Sequence, residues 1–234
     1  DTGLPMLLCS LLVGRGIYTA EQAQQYFNGT ELSDPLLIAD MDKAVQAIEA
    51  AVDNEIKITV YGDYDCDGVT STVMLFTQLD AIGADVNWYI PTREKGYGLN
   101  ENAIRKLHED GTGLIITVDN GVSAVNEAEL IYELGMKLVV TDHHQLPEIL
   151  PKAEAIVNPH RQDDNSPYKE LAGCGVALKL IMALERDVEG VLEQYADLAA
   201  IGTIGDVVAL TGENRIIVKR GLLEMQYSEN QGLQ

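Results

Sequence analysis

The chain has 234 residues, 46% of them hydrophobic, and a formal net charge of −21. That is enough apolar material for the core of one or two domains, while the charge argues against a broad basic surface for duplex DNA. It does not exclude a nucleic-acid substrate, because acids that hold cations at a site no longer repel phosphates.

No apolar run of roughly 18 residues and no basic-then-apolar leader is present, so no membrane partner is expected and the cytoplasm is the expected location. Thr19 followed by Gln22 forms a capping-box pattern, and Asp40 is placed to cap an amphipathic run through Val45, Ile48 and Val52. Between them Gly29, Ser33, Asp34 and Pro35 mark a turn-rich connector. We read residues 1–54 as an N-terminal helical segment packed on a catalytic domain of residues 55–234. From residue 56, β-branched runs at 56–61, 86–90, 114–118 and 138–141 read as strands, with helical periodicity at 69–81, 101–108 and 124–134 between them. This alternation predicts right-handed βαβ units and an α/β fold, a parallel sheet flanked by helices. A short strand at 155–157, a polar loop at 158–166 and a helical remainder at 175–185, 191–208 and 213–227 follow. The chain begins without methionine and stops shortly after a helix, as expected of a piece of a longer protein.

Ligands of parallel sheets bind beyond the carboxyl ends of the strands. Three polar segments fall there: Gly62-Asp63-Tyr64-Asp65-Cys66-Asp67-Gly68, Val118-Asp119-Asn120-Gly121 and Asp142-His143-His144. Clustered carboxylates beside imidazoles are what divalent cations need, and they repel one another without a cation. The acidic run opens like a calcium-binding loop, but its twelfth position is Met74 and a strand precedes it, so that reading fails. An aspartyl-phosphate turn matches Asp65-Cys66-Asp67-Gly68 but leaves the histidine pair unused. Asp119 before Asn-Gly reads alone as a turn former. Asp206, in an otherwise apolar run, needs a buried cation or a helix-end hydrogen bond, and we favour the cation. Adjacent His143 and His144 point different ways on a regular element, so one is read as a metal ligand and the other as facing substrate. His108 and His160 have no such context. Cys9, Cys66 and Cys174 sit in no CxxC spacing and read as reduced thiols.

Two further segments suit a polynucleotide. Arg93, Lys95 and Tyr97 lie in a basic and aromatic loop on the same sheet edge, the combination of cations and stacking faces that single strands require. Gly173-Cys174-Gly175 opens a helix and is positioned to offer backbone N–H groups of Gly173 and Gly175 to a phosphate. It is neither a Walker loop nor a dinucleotide fingerprint.

Taken in order, these segments resemble the DHH phosphoesterase superfamily, named for the triplet found at Asp142, His143 and His144. Within it the chain is most similar to the RecJ-type exonucleases. Gly62 through Gly68, Tyr89-Ile90-Pro91 through Asn100, Leu171-Ala172-Gly173-Cys174-Gly175-Val176-Ala177 and Gly202-Thr203-Ile204-Gly205-Asp206-Val207-Val208 carry that resemblance. It implies a two-metal phosphodiesterase that degrades single-stranded DNA from its 5′ end to 5′-mononucleotides in repair and recombination. It also implies a single-strand-binding protein and a helicase as partners. Two Mn²⁺ ions, with Mg²⁺ as the alternative, would be held by Asp63, Asp65, Asp67, Asp119, His143 and Asp206, with Asp119 bridging. His144, Asp119 and Asp142 would be the catalytic residues, His144 contacting the phosphoryl oxygens. Other superfamily members often have a ligand histidine where this chain has Tyr61, which leaves Asp63 to complete the first metal site. The resemblance further implies a second catalytic-side domain and an oligonucleotide-binding domain that this sequence lacks, and weak activity without them. The alternatives are a DHH activity on short oligonucleotides, cyclic dinucleotides or pyrophosphate, and a non-catalytic replication scaffold.

Overall fold

The protein is described from a computed structural model over residues 3–93, 96, 98–228 and 230–233. The sheet has five parallel strands: β1 (Ile58–Tyr61), β2 (Val86–Tyr89), β3 (Leu114–Val118), β4 (Lys137–Thr141) and β5 (Ala155–Val157), ordered β2-β1-β3-β4-β5. Helices α4 (Cys66–Ala81), α5 (Glu101–Glu109) and α6 (Val125–Glu133) connect the first four strands. Because successive side chains of a strand point to opposite faces, the strand residues divide between two cores. Ile58, Val60, Leu114, Ile116, Val118, Val139 and Val157 enter one, and Tyr61, Ile115, Leu138, Val140 and Ile156 enter the other. Burial on both faces is why these strands read as near-continuous apolar runs.

The first core also takes α3 (Met41–Asp53) and α4, together with α7 (Gly173–Glu185) and α8 (Val188–Gly205). Helices α5 and α6 cover the other face. The chain leaves β1 toward β2 on one face and β3 toward β4 on the other, so the strand order reverses between β1 and β3. A crevice therefore opens outside their carboxyl ends. Helices α1 (Met6–Val13), α2 (Ala20–Asn28) and α9 (Gly212–Glu224), with a 3₁₀ turn at Pro35–Leu37, lie outside the βαβ units. No described helix is long and apolar enough to cross a membrane.

The capping box is present: Thr19 accepts from Gln22 N at 3.1 Å, and Gln22 Oε1 accepts from Thr19 N at 3.2 Å. Asp40 does not cap α3 with its side chain. It sits in the left-handed region (φ 59°), and its carboxylate pairs with Lys43 and Arg161 and accepts from Ile156 N. Arg161 in turn donates to Ile156 O, so two side chains satisfy the outer edge of β5. Helix α4 begins at Cys66, three residues before the predicted start, because Asp65 Oδ1 accepts from Gly68 N at 2.9 Å as its N-cap. Helix α7 likewise starts at Gly173. Helix α8 stops at Gly205, which makes Asp206 its C-cap residue rather than a residue within the helix.

Candidate metal centre

Four chain segments deliver carboxylates and imidazoles to the crevice at β1 and β3. After β1 the chain turns through Asp63 into α4. Gly62 and Gly68 permit this, since a Cβ on Gly62 would lie 1.9 Å from Thr72 Oγ1 and one on Gly68 would lie 2.7 Å from the Asp63 backbone. Asp67 then falls in the first turn of α4, where the helix dipole favours an anion. Its oxygens accept from Gly173 N at 2.6 Å and Cys174 N at 2.8 Å, so the start of α7 fixes the carboxylate's orientation. After β3, Asp119 adopts the left-handed conformation (φ 60°) and is buried. Asn120 donates to Tyr61 O and Val118 O, tying the ends of β1 and β3 together. After β4, both oxygens of Asp142 are engaged. One accepts from Val122 N at 2.9 Å; the other accepts from the amides of His143 and His144 and lies 2.7 Å from His144 Nδ1. Asn158 donates to His144 O at 3.0 Å from the far side.

His143 Nε2 is the centre of the arrangement. It lies 3.1 Å from Asp119 Oδ1, 3.7 Å from Asp206 Oδ2 and 3.8 Å from Asp67 Oδ2. Ligand atoms of Asp67, His143 and Asp206 fall within 4.8 Å of one another, as do those of Asp63, Asp65 and Asp119, and those of Asp119, His143 and His144. Two of these sets share Asp119. Asp63 Oδ1 and Asp206 Oδ2 are buried and accept no hydrogen bond from a described residue. Asp206 also sits beside the carbonyl end of α8, where the helix dipole disfavours an anion. Carboxylates of Asp67, Asp119 and Asp206 gathered round one imidazole nitrogen, with donor-less buried oxygens on Asp63 and Asp206, fit divalent cations with oxygen and nitrogen ligands.

Protonation follows the same geometry. Burial raises the Asp119 carboxyl well above the carboxylate range, and the Asp63 and Asp206 carboxyls are also raised by burial. For His143, burial alone would lower the imidazole, but its contact with Asp119 and the charges of Asp67 and Asp206 outweigh that and hold a proton on it. His144 is raised by its hydrogen bond to Asp142. A bound cation must displace the proton shared around Asp119 and His143. Apparent Mn²⁺ affinity is therefore expected to rise with pH through neutrality, with proton release seen as a calorimetric enthalpy that changes with buffer ionisation heat. A pH-independent affinity would remove the Asp119–His143 pair from the site.

The structure brings together Asp63, Asp65, Asp67, Asp119, Asp142, His143, His144 and Asp206. The structure places Gly173 and Gly175 in the first turn of α7. Both are buried, and the Gly173 amide serves Asp67 rather than an exogenous phosphate. The need for glycine at 173 lies elsewhere, because a Cβ there would be 2.6 Å from Asp119 Oδ1. Gly173→Ala is accordingly expected to push Asp119 aside and weaken Mn²⁺ binding about 10–100-fold, the usual cost of disturbing a ligand's support, read by calorimetry on the folded variant. Arg93 is exposed and its guanidinium lies 5.4 Å from the Tyr64 ring, which places it at the rim of the acidic turn. Lys95 and Tyr97 lie outside the described residues. Tyr61, the position where other members of the resembled superfamily often have histidine, is fully buried. Its hydroxyl donates to Gly98 O and accepts from Asn100 Nδ2, anchoring the loop after β2. Asn120 and Asn158, read as turn and loop residues, are both fully buried supports of the site.

The sequence matches the DHH family, N-terminal domain, over residues 57–203. The chain belongs to the DHH family. The chain is 45% identical over 230 residues to the single-stranded-DNA-specific exonuclease RecJ of Bacillus subtilis (strain 168). The match covers 97% of this chain and 29% of that protein. Among solved structures, exonuclease RecJ bound to manganese superposes with a TM-score of 0.78 at 40% identity, covering 87% of this chain and 52% of that one. RecJ from Thermus thermophilus superposes in its Mn²⁺ complex with a TM-score of 0.77 at 34% identity (95% and 32% coverage), and in its Mg²⁺ complex with 0.64 at 32% (95% and 28%). The chain thus spans about a third of the length of several of these relatives.

Proposed function

We propose that this DHH domain is the catalytic core of a metal-dependent exonuclease that hydrolyses single-stranded DNA from its 5′ end and releases 5′-mononucleotides. The convergence of Asp67, Asp119 and Asp206 on His143 Nε2 carries the reading, and the similarity to RecJ exonucleases selects the substrate. Asp63, Asp65 and Asp119 would hold one cation and Asp67, His143 and Asp206 the other, Mn²⁺ or Mg²⁺, with Asp119 adjoining both. A bound pair supplies Lewis-acid activation of the attacking water and stabilisation of the leaving oxygen. The chain's own groups do the rest. Asp142 holds His144 by Nδ1 and orients the ring, which in this reading meets a phosphoryl oxygen as a charge-assisted donor. The amides of Gly173 and Cys174 hold Asp67 for its metal. Arg93, with Tyr64 beside it, offers a cation and a stacking face to the strand, and Lys95 and Tyr97, two and four residues on in the sequence, belong to the same reading.

The division into residues 1–54 and 55–234 belongs to the same reading. The match beginning at residue 57 supports it. A cytoplasmic setting, with a single-strand-binding protein and a helicase as partners, is what DNA repair and recombination imply. The test is Mn²⁺-dependent release of nucleotides from a 5′-phosphorylated single strand, beside a 5′-blocked strand and a duplex. Degradation of the free single strand alone supports the reading. Hydrolysis of only dinucleotides, cyclic dinucleotides or pyrophosphate would replace it with a small-substrate DHH activity.

A further inference from the structure

We propose that a cleft between the N-terminal segment and α9, separate from the metal cluster, binds a nucleotide through its phosphate. The cleft encloses about 650 Å³, within the size range of small-molecule sites. Arg15, Arg215 and Lys219 line it, with Tyr26, Ile17 and Ile216 supplying apolar surface, and no acid is among its described lining residues. Acids outnumber bases 37 to 16 in this chain, so a concave surface with three cations and no carboxylate runs against the composition. The metal cluster has the opposite balance.

Helix capping does not account for the three cations. Arg215 Nε donates to Tyr26 O at 2.8 Å and Lys219 Nζ to Phe27 O at 2.9 Å, both carbonyls at the end of α2. Each bond uses one donor of a group that has five or three, and Arg15, exposed after α1, has no ion pair with a described residue. The Arg215 guanidinium lies 3.8 Å from the Tyr26 ring centroid, so arginine and ring form a stacked wall. A stacked arginine-aromatic wall beside further cations is the arrangement that takes a base and its phosphate. The cleft wall begins at Leu210, four residues after Asp206. The nucleotide is either a free mononucleotide or one unit of a single strand; the phosphate and base chemistry is the same.

The test uses the full chain in chelator, where the metal cluster is an uncompensated patch of acids, so the result does not depend on hydrolysis. Binding of a fluorescent oligo-dT and of dTMP is measured by anisotropy and calorimetry for the wild type and for Arg15→Glu/Lys219→Glu, with circular dichroism to confirm the fold. Both substitutions are at exposed positions. Binding is expected to fall at least tenfold in the double variant, and the salt slope for oligo-dT to shrink by about 1.4, two single-strand phosphate contacts at about 0.7 each. Competition by dTMP assigns the site to the free nucleotide, and binding of oligo-dT alone assigns it to the strand; both support the proposal. As a measurement free of any variant, photo-crosslinking of a 5-bromodeoxyuridine strand is expected to label Tyr26. Failure of wild type to bind either probe, binding unchanged by charge reversal in a folded variant, or labelling confined to Tyr64 and its neighbours would each overturn it. Capture of an acidic peptide with neither nucleotide bound would also overturn it, in favour of a protein partner.

Discussion

Asp119→Asn is expected to abolish Mn²⁺-dependent hydrolysis, by about 10³-fold or more, which corresponds to about 4 kcal/mol of transition-state stabilisation, while leaving the fold intact. Asp119 belongs to the set with Asp63 and Asp65, and its Oδ1 lies 3.1 Å from the His143 Nε2 of the other set, so its loss disturbs both cation positions at once. Asparagine is the informative replacement because residue 119 has φ 60°, a conformation that asparagine tolerates and alanine adopts at a cost of about 1–2 kcal/mol. Asp119→Ala should therefore lose activity and some stability together, and Asp119→Asn only activity. The sign of the stability effect follows from protonation. Burial raises the Asp119 carboxyl above its unfolded value, so above that unfolded value its ionisation costs the metal-free fold. Removing the charge leaves the melting temperature in chelator unchanged or higher at neutral pH. Calorimetry in chelator together with nucleotide release in Mn²⁺ separates the cases. Retained hydrolysis in a folded Asp119→Asn protein would remove the two-cation reading.

The residues that make this site differ in how visible they are along the chain. The acids after β1 and the triplet after β4 stand out because a strand end followed by polar residues is a local pattern, and β-branched runs buried on both faces announce the strands. Asp206 is visible as a charge inside an apolar run. The supports of these groups are not visible in this way. Asp67 meets Gly173 and Cys174 across 106 and 107 residues, and nothing local to either segment marks the meeting. That long-range contact is also why Gly173 reads as a phosphate loop: a free helix start and one already engaged by an internal carboxylate have the same sequence. Asn120 looks like half of a turn, and only the adjacency of β1 and β3 turns it into a crosslink between their ends. Asp40 has the side chain of a helix cap, but Arg161, distant in sequence, supplies a stronger partner than a backbone amide.

Lys179→Met is expected to destabilise the protein by about 3–5 kcal/mol, the cost of leaving a buried charge without its partner, or roughly 6–20 °C in melting temperature for a chain of this size. Lys179 is fully buried in α7, and its Nζ lies 2.7 Å from Glu213 Oε2 in α9 and 2.6 Å from Ser33 O. Glu213 Oε1 accepts from Ser33 N at 3.0 Å, which closes a three-cornered link between the connector before the 3₁₀ turn, α7 and α9. Methionine fills the same volume but leaves Glu213 Oε2 and the Ser33 carbonyl without the ammonium that met them. Replacing both charges, Lys179→Met with Glu213→Leu, should recover most of the loss, because two apolar groups of similar size leave no buried ion behind. The link also bears on the site. Helix α7 carries Gly173 and Cys174 at one end and Lys179 six residues after Gly173, so a fold that loosens at Ser33 loosens the amides that hold Asp67. Mn²⁺ affinity in Lys179→Met should consequently fall along with stability and return in the double variant. A destabilised Lys179→Met protein with unchanged Mn²⁺ affinity at low temperature would show that the N-terminal segment and the metal centre are mechanically independent.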